Sequence, residues 1–118
     1  MVEFALVLPI LLMLLLGVIQ FGIAFNNYLA VTDAVRAGAR QGAVARHLPP
    51  ADRCPSAVSR VRESADNLDQ AKLGVTCAST FAAGEDVTVS ASYPYQINIL
   101  GMVVKSGNLT ATTTERVE

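Results

Sequence analysis

Hydrophobic and polar positions are distributed unevenly along this chain. From Phe4 to Leu29 no residue is charged, and Gln20, Asn26 and Asn27 are the strongly polar side chains of the run. At about 1.5 Å per residue a helix over these positions is roughly 39 Å long. A bilayer core of about 30 Å needs only ~20 apolar residues, so the run can cross a membrane. It does not read as a secretory signal, because no Lys or Arg precedes it and the stretch passes smoothly into residues that still favour a helix. Pro9 removes one backbone hydrogen bond and predicts a kink or an opened turn near Ala5–Pro9. Gly17 and Gly22 are two further weak points.

The pattern then becomes amphipathic. In YLAVTDAVRAGARQGAVARH the charged residues Asp33, Arg36 and Arg40 share one side, and Ala30, Ala34, Gly38 and Gly42 form a row at i+4 spacing. A row of small residues lets two helix backbones approach closely. Its partner is another helix in an assembly or the chain's own domain, and one helix can serve both uses. Leu48-Pro49-Pro50 ends the helix.

Beyond the prolines the periods shorten. Val58, Val61, Ala65 and Leu68 predict a second amphipathic helix over about 55–71, with Pro55 in its first turn. Alternation then predicts strands at about 73–79, 86–93 and 108–117. Between them, FAAG reads as a turn and QINILGMVVKSG as an apolar connection, and Pro94 favours a strand end or edge. Tyr93-Pro94-Tyr95 is either an adhesive aromatic patch or part of the core. The fold class is α+β. A long N-terminal helix over about 3–47, apolar in its first half, precedes a small domain with one short helix and a three-stranded antiparallel sheet. The domains are 1–47, the membrane and assembly helix, and 48–118, the head.

Composition narrows the function classes. Of 118 residues 52% are apolar, and 9 basic against 10 acidic residues give a net charge of −1. No basic stripe points to nucleic acid. His47 is the single histidine and sits at a helix end; Glu85, Asp86, Glu115 and Glu118 fall at strand ends, where exposed carboxylates are usual. No catalytic set, cofactor loop or metal-ligand cluster emerges, and the chain is not expected to be an enzyme. Cys54 and Cys77 lack zinc-site spacing. They form either one disulfide, which implies an oxidising compartment, or two buried thiols. Asn108-Leu109-Thr110 matches the glycosylation triplet.

Charge order poses an orientation problem. Arg36, Arg40 and Arg46 follow the apolar run, which naively keeps the head in the cytoplasm, whereas paired cysteines belong on the other side. A basic leader removed from ahead of Met1 would reconcile the two. Glu3 stands at the mouth of the apolar run. An acid costs ~2.5–3.5 kcal/mol at the membrane centre and less near its surface. A neighbouring chain's N-terminal ammonium would offset that cost.

VEFALVLPILLMLLLGVIQFG resembles the N-terminal signature of TadE-like pilins and pseudopilins, a branch of the type IV pilin superfamily. DAVRAGARQGA looks like that family's second helical block, and VTVSASYPY and LTATTTERVE resemble its strand-forming tail. The resemblance implies a pilin-like fold and processing by a prepilin peptidase, with Glu3 as the matching acid. It also implies residence in the bacterial inner membrane before the pilus assembly machinery exports the chain into an extracellular filament of a tight-adherence system. The leading expectation is a structural pilin that forms a helical homo-oligomer through Glu3, Phe4, Pro9, Ala30, Ala34, Gly38 and Gly42. The alternatives are a minor or initiating pseudopilin, or a single-span membrane protein with a periplasmic binding domain.

Overall fold

A computed structural model of the chain describes residues 1–82, 84–99 and 101–117. Glu118 and parts of the expected FAAG turn and apolar connection lie outside the described residues.

The apolar run and its amphipathic continuation form one helix, α1 (Val2–Ala43), followed by a short 3₁₀ turn (Ala45–His47). The helix passes through Pro9 without a break, contrary to the opened turn expected there. Buried positions begin at Val31 and recur at Ala34, Val35, Gly38, Ala39, Gly42 and Ala43, the i+3/i+4 stripe of a core-facing helix. His47 is exposed, and its Nδ1 donates to the Val44 carbonyl at 2.7 Å.

The second helix, α2, runs Pro50–Ser64, starting five residues before the expected boundary and ending seven before it (55 against 50, 71 against 64). Pro50 occupies the first turn, where its missing N–H costs nothing. The early end has an identifiable cause. The Gln70 side-chain amide turns back and donates to the Ala65 carbonyl at 2.8 Å and to that of Arg62 at 3.3 Å. Arg62 Nη1 in turn donates to the Gln70 carbonyl at 3.1 Å. These bonds satisfy carbonyls that a longer helix would have used. Ala57, rather than Val58, is fully buried on α2, alongside Val61.

Three strands form an antiparallel sheet in the order β1 (Gly74–Ala78), β2 (Asp86–Ile99), β3 (Met102–Arg116). The expected connection over 96–107 is instead hairpin. β2 and β3 pair from Asp86↔Arg116 to Ile99↔Met102, with one register shift at Ile97/Asn98. The turn uses Gly101 at φ 80°, a region that glycine enters without steric cost. Pro94 lies inside β2, past the end of β1 at Gly74↔Ser92, where β2 has a neighbour on the β3 side only.

One face of the sheet packs on α1. Val87, Val89 and Ala91 are buried in a single cluster with Val31, Val35, Ala39, Ala57, Val61 and Ala111. The other face is polar; Ser90 and Thr112 hydroxyls meet at 2.9 Å and those of Thr88 and Thr114 at 3.3 Å. Cys54 and Cys77 form a disulfide, with Cα atoms 5.8 Å apart, tying α2 to β1.

Candidate functional site

The candidate surface is the half of α1 that the head leaves uncovered. Every side chain from Met1 to Leu15 is exposed, with Phe4 at 71%. Leu, Ile, Val and Met fill this stretch on all sides, so no helix face is reserved for water. Glu3 lies in the first turn, where a carboxylate complements the positive end of the helix dipole. Among the described residues it has no ion-pair partner. Pro9 is exposed within the same stretch.

Ile10, Met13, Leu14, Gly17, Val18 and Phe21 line a shallow apolar groove along this surface. Their spacing of three and four residues produces the ridges and grooves into which a second helix packs. From sequence, Gly17 reads only as a weak point in the helix, although the i+3/i+4 spacing around that glycine carries the signal for the groove. One turn further on, Phe21 and Phe25 stack with ring centroids 6.5 Å apart.

The small-residue row divides differently. Ala30 is half-buried at its edge, whereas Ala34, Gly38 and Gly42 are buried. A Cβ at Gly38 would collide with the Val61 side chain and come within 3.0 Å of the Ala57 carbonyl. One at Gly42 would lie 2.9 Å from Val87 Cγ1 and 3.5 Å from Ala57 Cβ. The structure fills this row with the chain's own α2 and β2, the second of the two uses open from the sequence. Ala34, Gly38 and Gly42 are thus covered by the chain's own head.

The remaining predicted positions lie apart. The Tyr93 hydroxyl accepts the Asp69 N–H at 3.3 Å, and the Tyr95 ring lies against Gly107 across the hairpin. Both tyrosines are half-buried and serve packing. Asn108 is exposed in the middle of β3, opposite Pro94. Among the described residues no group of His, Cys, Asp and Glu is placed to hold a metal ion.

Fold and surface together define a rod-and-head α+β protein whose rod is uncovered and almost wholly apolar in its first half and amphipathic in its second. Residues 1–40 match the model of a family described as TadE-like protein, so the rod is the part of the chain similar to that family. The match stops at Arg40 and includes no part of α2 or the sheet. No curated protein and no solved structure matches the chain. Helix length and composition suit membrane anchoring near the N-terminus, and the TadE-like match over the rod fits a pilus-associated protein.

Proposed function

We propose that this chain is a structural subunit of a tight-adherence pilus system. The first half of α1 holds it in the inner membrane, and the same surface then packs against sister helices in a helical filament that leaves the cell. The observation that carries this reading is the contrast along one helix. Residues 1–15 bury nothing, while residues from Val31 onward bury a regular stripe. An apolar surface of that extent needs a cover, and lipid tails and copies of the same helix are interchangeable covers because both are apolar. Glu3 then finds the N-terminal ammonium of a neighbour and fixes the axial register. Before that step the chain is a substrate for a prepilin peptidase and for the pilus assembly machinery.

The test is Glu3→Leu in cells. The variant should reach the membrane at the normal level, yet its amount in sheared surface fibres should fall by about tenfold or more, since each 1.4 kcal/mol of lost pairing is a factor of ten. Normal fibre incorporation would remove the proposed role of Glu3. Quantifying the wild-type chain in the same fibres separates two uses of one helix. A bulk component is the fibre wall, and a trace component primes or caps it.

A further inference from the structure

We infer, resting on the reading of α1 as a membrane anchor, that the far part of the β2–β3 hairpin is a two-position arm. It lies against α1 outside the bilayer and leaves α1 when the helix takes up its full span in lipid. The arm begins where the sheet narrows. β1 ends at Gly74↔Ser92, and beyond that pair β2 and β3 continue as a two-stranded ribbon. Before this level Val87, Val89 and Ala91 of β2 are buried; past it Tyr93, Tyr95 and Ile97 are only half-buried. The Tyr93 hydroxyl accepts the Asp69 N–H at 3.3 Å, which ties the root of the ribbon to the head. Next come the pairs Pro94↔Asn108 and Tyr95↔Gly107. Pro94 has no N–H to give to a ladder and Gly107 has no side chain to pack, so the ribbon bends most easily here. A two-stranded ribbon is marginal in water without a surface to pack on.

In the structure that surface is the middle of α1. Val87 meets α1 at Gly42 and Tyr95 meets it at Ala24, so β2 runs along the rod towards the N-terminus. Tyr95 and Gln96 share one cleft with Gln20, Ala24 and Asn27; Tyr95, Ile97 and Leu109 share another with Phe21, Ala24 and Phe25. At 100° per helix residue the two clefts lie on either side of Ala24. The contact is therefore narrow, unlike the close fit at Gly38. From Tyr95 the paired backbone continues to Ile99, about 13 Å further or the length of roughly nine helix residues. Counted from Ala24, that reaches Leu15. Burial along α1 changes at the same point: every residue from Met1 to Leu15 is exposed, whereas Leu16 and Gly17 are half-buried. With the arm in place, the uncovered stretch from Phe4 to Leu15 measures about 18 Å, against about 30 Å of hydrocarbon. Sinking the arm into the bilayer does not make up the difference. Among the described residues neither outer edge of the ribbon has a neighbouring strand, and hydrocarbon offers open edges no partner. A docked arm and a full crossing exclude each other. Lifting the arm frees Leu16 to Ile23 and lengthens the span from Phe4 to about 20 residues, roughly 30 Å. Bilayer thickness then decides where the arm lies.

The experiment uses the full chain with Cys54 and Cys77 left paired and spin labels on V18C and V103C. Val18 is 70% exposed and Val103 is 53% exposed, so neither substitution enters the core. Electron–electron double resonance, with the labelled chain diluted in unlabelled chain, reads the distance within one molecule. The vesicles are of phosphatidylglycerol in two thicknesses, dilauroyl with about 20 Å of hydrocarbon and dioleoyl with nearer to about 30 Å. In the thin bilayer the distance should be short and narrowly distributed. In the thick bilayer it should broaden and lengthen by about 10 Å or more, since the arm vacates roughly eight helix residues. The same distance in both bilayers, short or long, overturns the inference and leaves the anchor standing. Failure of the chain to float with either kind of vesicle overturns both.

Discussion

Gly38 shows how much one missing side chain determines. Its backbone lies so close to α2 that a Cβ would strike Val61 and crowd the Ala57 carbonyl. Val61 is fully buried. Gly38→Val should therefore destabilise the head by about 1–3 kcal/mol, the usual cost of overpacking. Gly22→Ala is the matched control, since nothing lies within 4 Å of the position a Cβ would take there. The loss of backbone freedom in the unfolded chain should leave stability unchanged or raise it by up to about 1 kcal/mol. Thermal unfolding of the two variants in the same detergent checks both. Equal midpoints would mean that the α1–α2 contact is not close in solution. At this scale the sequence disclosed that something approaches the Ala30–Gly42 row and not what approaches it. Small residues at i+4 encode a distance, and any backbone can supply the other side.

Elements were legible where their pattern is local. The length of α1 follows from composition, and its buried stripe from i+3/i+4 spacing. The ends of α2 were not legible, because they depend on Pro50 entering the first turn and on Gln70 reaching back to the last carbonyls, a contact made through a loop. The hairpin was the largest miss. QINILGMVVKSG alternates poorly, and it is strand because its two halves pair with each other across the hairpin, from Ile97↔Lys105 to Ile99↔Met102. The disulfide is the element-scale link that sequence left between two alternatives. It joins α2 to β1, the shortest strand, which pairs with the sheet along one side only. Cross-linking a loop of this size stabilises by ~3 kcal/mol in the chain-entropy model. Replacing Cys54 and Cys77 together by Ser should lower stability by about that amount, with β1 amides losing hydrogen-exchange protection first. Mass spectrometry of the native protein without reductant should recover the two cysteines as one linked peptide pair. Two alkylatable thiols would reverse that assignment.

At the scale of the whole molecule, α1 is shared between two solvents. The Cα radius of gyration is 19.6 Å, against about 13 Å for a compact chain of this length, because the uncovered half of the rod extends beyond the head. The other half is not a stalk. Val31, Val35 and Ala39 are fully buried with Val61, Val87 and Val89, so a boundary at residue 47 would run through that cluster. Removing the helix there would strip Val31 and Val35, each worth roughly 1.5–3 kcal/mol of burial, together with the alanines between them, and would expose the inner face of the sheet. Small domains hold only about 5–15 kcal/mol in total, so a fragment of residues 48–118 should not fold. A fragment starting at Leu29 keeps the whole cluster and loses only the uncovered run. It should be soluble, unfold cooperatively and retain slow-exchanging amides in β2. Cooperative unfolding of the 48–118 fragment would instead make α1 a detachable anchor. A rod whose second half is core cannot swing away from its head, so any force on the uncovered half is carried directly into the sheet.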